Sequence, residues 1–272
     1  MIVNCPVKSQ GGFEQWFLLR SDAHHDNPHC RQDLEKKHLD QAVERNAGII
    51  DNGDLHCAMQ GKWDKRANKQ SLRPENQNDH YLDSLVNCAA EFYAPYADRW
   101  IVMGRGNHEQ SIKRHHETDL TERTVALLNA RGGSIVAGGY TNWVRFRFIR
   151  GRQIVSRVLW TMHGYAGGGP VTKDLIQLNR QLAYVRGADI MLSGHTHDAW
   201  NVRCATVQMT STGRVEHGTI DALKCPSYKE EYVDGAEGWH AEGGKPPKPI
   251  GAWWLRFYWE GDTVQHDVIF AK

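Results

Sequence analysis

The feature that constrains this chain most is a short apolar run, Trp100-Ile101-Val102-Met103, broken by Gly104-Arg105-Gly106-Asn107-His108-Glu109. Four apolar residues bounded in this way have the length of a buried strand. A strand that ends in Gly-x-Gly and then offers an amide, an imidazole and a carboxylate sets polar groups at the carboxyl edge of a sheet, where open α/β sheets hold their ligands. The pattern recurs. Glu14 to Arg20 reads as a strand that stops at Ser21-Asp22-Ala23-His24-His25-Asp26. Asp22 and His24 lie two apart, so an extended backbone puts their side chains on one face, a common start to a divalent metal site. From Arg31 to Asn46, Leu34, Leu39, Ala42 and Val43 sit among charges, which predicts an amphipathic surface helix. Ala47 to Asn52 is a second strand, ending in Gly53-Asp54-Leu55-His56-Cys57. Strand, helix and strand form a crossover that brings both strand ends to one edge of a parallel sheet, and Asp54 toward Asp22 and His24.

Farther on, Tyr81 to Phe92 keeps helical spacing, and Asp119 followed by Glu122 resembles a helix N-terminus. Residues 143–162 predict a two-stranded ribbon turning near Gly151, whose returning strand delivers His163 and then a glycine-rich loop. A helix around Leu175 to Val185 leads to a short strand, Asp189 to Leu192, which ends in Ser193-Gly194-His195-Thr196-His197. Two histidines two apart after a glycine can serve neighbouring metals. Residues 206–250, rich in Gly, Pro and polar side chains, predict a long irregular segment that shapes a cleft or forms an oligomer arm. A C-terminal hairpin follows, with Trp253, Leu255, Phe257 and Trp259 on its core face.

Composition narrows the field. At 272 residues the chain suits one large α/β domain, and no linker, repeat or low-complexity tract divides it. Thirty-three Lys and Arg against 32 Asp and Glu leave a formal charge of +1, so the overall field neither requires nor excludes a polyanionic partner. Two local basic stretches stand out. One is Lys113-Arg114-His115-His116. The other runs from Lys62 to Arg73 and includes Trp63, but it also holds Asp64, so a solvated loop is its plainer reading. Six cysteines without a C-x-x-C pair, and no secretory leader, predict reduced thiols in a cytoplasmic protein. Apolar runs such as Trp16 to Leu19 are too short to span a bilayer, so no membrane partner is expected.

Five strand ends thus carry Asp22-x-His24, Gly53-Asp54, Gly106-Asn107-His108-Glu109, His163 and Gly194-His195-x-His197. Their order and chemistry resemble the calcineurin-like metallophosphoesterase superfamily, whose motifs read D-x-H, G-D, G-N-H-[DE], H and G-H-x-H. The resemblance covers residues 22–197. It implies an α/β fold, a four-layered α-β-β-α sandwich of two mixed sheets. It implies two divalent ions, one held by Asp22, His24, Asp54 and His197, the other by Asp54, Asn107, His163 and His195. Mixed oxygen and nitrogen donors suit Mn²⁺, with Fe or Zn²⁺ as alternatives, and a water between two such ions is acidified toward a hydroxide that attacks phosphorus in line. His108 resembles the family's catalytic histidine.

One departure is informative. The superfamily's protein phosphatases continue G-D-x-x-D-R-G, with the second Asp orienting that histidine, whereas Cys57 and Ala58 stand at those positions here. The chain looks more like the phosphodiesterase and nuclease branches. The expectation is a phosphodiesterase acting on nucleic acid or a nucleotide, with Arg105, Lys113 and Arg114 as candidate substrate contacts. A phosphomonoesterase or nucleotide pyrophosphatase is the second enzyme reading. A non-catalytic scaffold is the reading from another class, and the retention of every ligand position and of His108 weighs against it.

Overall fold

The computed structural model describes residues 1–9, 11–59, 72–165, 167, 169, 171–232 and 239–272. The chain opens with β1 (Ile2–Pro6) and β2 (Glu14–Arg20), followed by α1 (Gln32–Glu44) and β3 (Gly48–Asp51). Next come α2 (Tyr81–Tyr93), β4 (Trp100–Met103), α3 (Asn107–His116), α4 (Leu120–Asn129) and the short β5 (Val136–Ala137). The long pair β6 (Thr141–Arg150) and β7 (Gln153–Met162) precedes α5 (Leu175–Tyr184) and β8 (Ile190–Ser193). The chain then runs through β9 (Trp200–Met209), β10 (Val215–Lys224), β11 (Ala252–Glu260) and β12 (Thr263–Ala271).

These strands make two mixed six-stranded sheets, ordered β1-β6-β7-β8-β10-β9 and β12-β11-β2-β3-β4-β5. In the second, β2, β3, β4 and β5 are parallel and adjacent, as the crossover reading requires. In the first, β7, β8 and β10 are parallel neighbours. Apolar side chains from both sheets share one core: Phe146, Phe148, Leu159 and Leu192 of the first meet Phe17, Leu19, Leu255 and Phe257 of the second. Phe257 lies 5.0 Å from Phe146 and 4.9 Å from Phe148 between ring centroids. The other face of the second sheet packs Leu18, Ile49 and Trp254 against Leu39 and Ala42 of α1 and Tyr93 of α2. The other face of the first packs Trp160 and Met191 against Leu178 of α5. The fold is therefore α/β with two mixed sheets and flanking helices. Among the described residues no helix is long and apolar enough to cross a membrane.

Three sequence expectations change. The buried face of α1 is Glu35, His38, Leu39 and Ala42, while Val43 is exposed. Two titratable groups lie inward because each finds a partner: Glu35 meets the fully buried Arg20 at 2.6 Å, and His38 Nδ1 lies 2.9 Å from the Tyr228 hydroxyl. Asn107–His116, read only as a polar stretch with a basic patch, is α3; it offers a single buried apolar residue, Ile112, too little for a helical period. The segment 206–250 is not irregular throughout, since it begins inside the β9–β10 hairpin, paired from Trp200↔Lys224 to Met209↔Val215. The outer part of that ribbon is exposed on both faces, so no apolar alternation marks it. The cations Lys62, Lys65, Arg66 and Lys69, with Trp63, lie outside the described residues. Arg73 is described, and its guanidinium donates to the carbonyls of Asn27 and Cys30, both at 3.1 Å.

Candidate metal centre

The ends of β2, β3 and β4 in one sheet, and of β7 and β8 in the other, deliver all eight motif side chains to one place. Backbone hydrogen bonds tie these ends together: Asp22 N donates to Gly53 O at 2.9 Å, His24 N to Asp54 O at 3.0 Å, and Gly194 N to His163 O at 2.8 Å. Side chains link the two sheets as well, with Asn52 Nδ2 donating to Met162 O at 3.0 Å.

The local backbone is not the extended segment that the Asp22-x-His24 spacing suggested. Asp22, His24, Asp54, His195 and His197 all have positive φ, between 47° and 73°. Alternation with left-handed residues turns the chain sharply and aims successive motif side chains inward, at a local energetic cost that the surrounding hydrogen bonds must offset. Close approach sets the glycines. A Cβ on Gly106 would collide with the Asp54 carboxylate, and one on Gly194 with Ser21 Oγ and Asp22 Oδ2.

The side chains converge as two triads whose donor atoms lie within 4.8 Å of one another: Asp22, His24 and His197; and Asp54, His163 and His195. In the first, His24 Nε2 is 3.2 Å from His197 Nε2, and Asp22 Oδ1 is 3.4 Å from His197 Nε2. In the second, His163 Nε2 is 3.1 Å from Asp54 Oδ2, and Asn107 Oδ1 is 3.0 Å from His163 Nε2 and 2.7 Å from His195 Nδ1. The triads are contiguous, since His163 Nε2 is also 3.9 Å from Asp22 Oδ1. Asp22, His24, Asp54 and His163 are buried, while Asn107, His108, His195 and His197 are half-buried and form the open side.

The electrostatics suit a cation. Burial opposes ionisation of Asp22 and Asp54, but His163 beside both, joined by His197 at Asp22 and by His108 and His24 at Asp54, outweighs it and holds both carboxyls well below the usual range. Burial likewise works against charge on His163, yet Asp54 and Asp22 push it up to about 9. Burial, with His108 and His197 nearby, holds His24 well below its ordinary value, and burial with His163 lowers His195. Asp22 and Asp54 are thus ionised and His24 and His195 neutral, the protonation states that metal ligation needs, while the proton that the two carboxylates hold on His163 is the one a bound cation would displace. Asp22 Oδ1 is buried without a hydrogen-bond partner. His163 Nδ1 faces the Asn52 carbonyl at 3.1 Å, the backing that fixes a ligating imidazole with Nε2 inward. The donor set fits two divalent ions.

Two residues acquire roles that sequence reasoning missed. Glu109 is buried and its carboxylate accepts from three backbone amides: Asp54 at 3.1 Å, Gly106 at 2.9 Å and His56 at 2.8 Å. It thereby ties the ends of β3 and β4 together, and burial with the nearby Asp54 charge pushes it up to about 8. Its place at the third position of α3 was the available signal. Tyr140 packs edge-on against His163, 5.4 Å between centroids, and its hydroxyl donates to Gly164 O at 2.5 Å.

His108 lies beside the triads, its Nε2 3.7 Å from Asp54 Oδ2 and its ring 5.0 Å from that of His24. Its Nδ1 is 2.5 Å from the Cys57 carbonyl, so the ring has a backbone partner where the sequence showed no side-chain one. The three candidate substrate contacts differ. Arg105 is largely buried and paired with Asp119, which Lys113 also meets at 2.8 Å. Arg114 is exposed.

The chain matches no family model, and no curated protein matches it. Among solved structures it is similar to one described as GAP50, the anchor in the inner membrane complex of Plasmodium, at 12% identity, covering 95% of this chain and 85% of that one with a TM-score of 0.41. It is also similar to the solution NMR structure of Thermotoga maritima protein TM1076, at 13% identity, covering 94% and 99% with a TM-score of 0.36. At these scores neither likeness bears on function.

Proposed function

We propose that this chain is a two-metal phosphoester hydrolase of the calcineurin-like metallophosphoesterase kind, with its sheets and helices layered as that family's α-β-β-α sandwich. The observation that carries the reading is the pair of contiguous donor triads built on left-handed aspartates and histidines at the joined strand ends. One ion would be held by Asp22, His24 and His197, the other by Asn107, His163 and His195, with Asp54 shared between them. Mn²⁺ is the first expectation for this donor set, then Fe or Zn²⁺. When bound, two such ions supply Lewis-acid activation of water and of phosphoryl oxygens.

The protein's own groups do the rest. Burial of Asp22, Asp54 and His163 excludes water from the back of the site and strengthens charge interactions there. His108, held by the Cys57 carbonyl through Nδ1, has Nε2 turned toward Asp54; in the imidazolium form, with hydrogen on both nitrogens, the Nε2 proton is the one placed to pass to a leaving oxygen, leaving the ring with hydrogen on Nδ1. A diester is the favoured substrate class, on a nucleic acid or a nucleotide. A monoester dianion calls for extra cations, and Arg105 and Lys113 are already engaged by Asp119, which leaves Arg114 as the candidate for a flanking phosphate. The buried thiols of Cys5 and Cys57, pushed up to about 12 by burial, accord with reduced cysteines in a cytoplasmic setting.

A panel of nitrophenyl mono- and diesters with Mn²⁺ tests the reading. Diester turnover above monoester turnover is expected. Efficient monoester hydrolysis with no diesterase activity would favour the phosphomonoesterase reading, and inactivity on every ester in a metal-loaded protein would favour a scaffold.

A further inference from the structure

Asp26 belongs to neither donor triad, yet it is buried two residues beyond His24. Its carboxylate is spent on backbone. Oδ1 accepts from Cys57 N at 2.6 Å and Oδ2 from Ala58 N at 3.0 Å, with the Tyr81 hydroxyl 3.5 Å from Oδ2. A carboxylate gripping two successive amides is a charge-assisted clamp, stronger than neutral hydrogen bonds of the same geometry. The clamp falls on a turn that needs one, because Ala58 has a φ of 47°, a conformation that an L-residue with a Cβ adopts at a cost. The Cys57 peptide held in this way is the one whose carbonyl meets His108 Nδ1 at 2.5 Å.

From this chain of contacts we infer that Asp26 is the positioning residue for His108, acting through the Cys57–Ala58 backbone. The inference rests on the proposed hydrolase reading and deepens it. A carbonyl facing Nδ1 selects the tautomer with hydrogen on that atom and fixes the plane of the ring, which leaves Nε2 facing Asp54 and the donor triads. Without the clamp, the 57–58 turn relaxes toward negative φ at Ala58 and the carbonyl swings away from the ring. Glu109 supports the same stretch from the other side through His56 N, so loss of Asp26 leaves the strand end in place and frees mainly the carbonyl that His108 uses. Asp26 thus does through a peptide what an aspartate in direct contact with the imidazole would do.

The test uses the full chain with ¹⁵N-labelled histidine, the His108 ring signals being assigned by their absence in His108→Ala. In the native protein His108 should show a single form with hydrogen on Nδ1. In Asp26→Asn, one acceptor oxygen becomes an amide NH₂ that faces a backbone N–H, and that form should give way to a mixture of tautomers, with the His163 and His195 signals unmoved. On a nitrophenyl diester with a poor leaving group, kcat should fall by at least about 10-fold, within the roughly 10²–10⁴ range of a general acid–base group, with KM and bound metal within twofold of the native values. Added to His108→Ala, the Asp26→Asn change should cost nothing further. Unchanged His108 signals in a folded Asp26→Asn protein would overturn the inference, as would a kcat loss that adds in full to that of His108→Ala. Asp26→Ala repeats the comparison with both acceptors removed; should it fail to fold, Asp26→Asn alone decides. If no ester is hydrolysed even by the native protein, the hydrolase reading falls, and the ring signals still report on Asp26.

Discussion

A left-handed aspartate or histidine costs on the order of 1–2 kcal/mol relative to ordinary backbone, and this centre uses five of them. The hydrogen bonds on their own amides show what holds them: His195 N donates to Asp22 Oδ2 at 2.9 Å, His24 N to Asp54 O at 3.0 Å, and Asp54 N to Glu109 Oε2 at 3.1 Å. Asp22 and Asp54 are thus both candidate ligands and supports for other motif residues. His108 differs, since its backbone N donates to Asp54 Oδ1 at 2.9 Å while its ring is held separately by the Cys57 carbonyl. Replacing His108 with Ala should therefore leave bound metal intact while lowering kcat by about 10²–10⁴. The loss should shrink for esters with good leaving groups, which need less protonation. Metal analysis beside a leaving-group series checks both points, and equal losses across the series would argue against proton donation by His108.

At the scale of elements, α1 and α3 carry the features that sequence periodicity hid. Glu35 of α1 is buried with Arg20, with His25 Nδ1 at 3.0 Å and with the Tyr93 hydroxyl. Burial opposes its ionisation, but Arg20 and His25 outweigh that and lower it from 4.5 to about 2. In the unfolded chain Glu35 takes up its proton near pH 4.5, and in the folded protein only near 2. Its contribution to stability is therefore present above pH 4.5 and is lost as pH falls toward 2. Glu35→Gln should lower unfolding stability at pH 7 by about 3–5 kcal/mol, as expected when one partner of a buried pair is removed. Urea unfolding from pH 7 to pH 3 should show the gap to the native protein narrowing below 4.5, and a gap independent of pH would contradict the assignment. On α3, Lys113 and Arg114 sit beyond Asn107 and His108. Neutralising Arg114, the candidate left once Lys113 is engaged by Asp119, should raise KM on an oligonucleotide and reduce its salt dependence, with a small nitrophenyl diester almost unaffected. An equal effect on both substrates would place the patch outside substrate binding. Most elements were legible because they bury apolar residues, in an unbroken run as in β2 or at a clear period as in α2 and the outer half of β11. The helical state of α3 and the β9–β10 ribbon were not, since one buries a lone isoleucine and the other exposes both faces of its outer half.

Across the whole molecule, the site depends on two sheets sharing one core so that the ends of β2, β3 and β4 meet those of β7 and β8. The residues that converge were legible because Asp, His and Asn at strand ends punctuate apolar runs visibly. The sequence did not reveal what holds them. The Asp26 clamp and the reach of Glu109 to Asp54 join residues far apart in the chain, which no local pattern encodes, and the engagement of Arg105 by Asp119 left no mark in the sequence either. The central claim is that the two triads are two neighbouring metal sites. The most direct test is a crystal of the native protein soaked in Mn²⁺, with anomalous scattering recorded. The account predicts two peaks, one among Asp22, His24 and His197 and one among Asn107, His163 and His195, with Asp54 between them. Peaks elsewhere, or no bound manganese within either triad at saturating Mn²⁺, would contradict it.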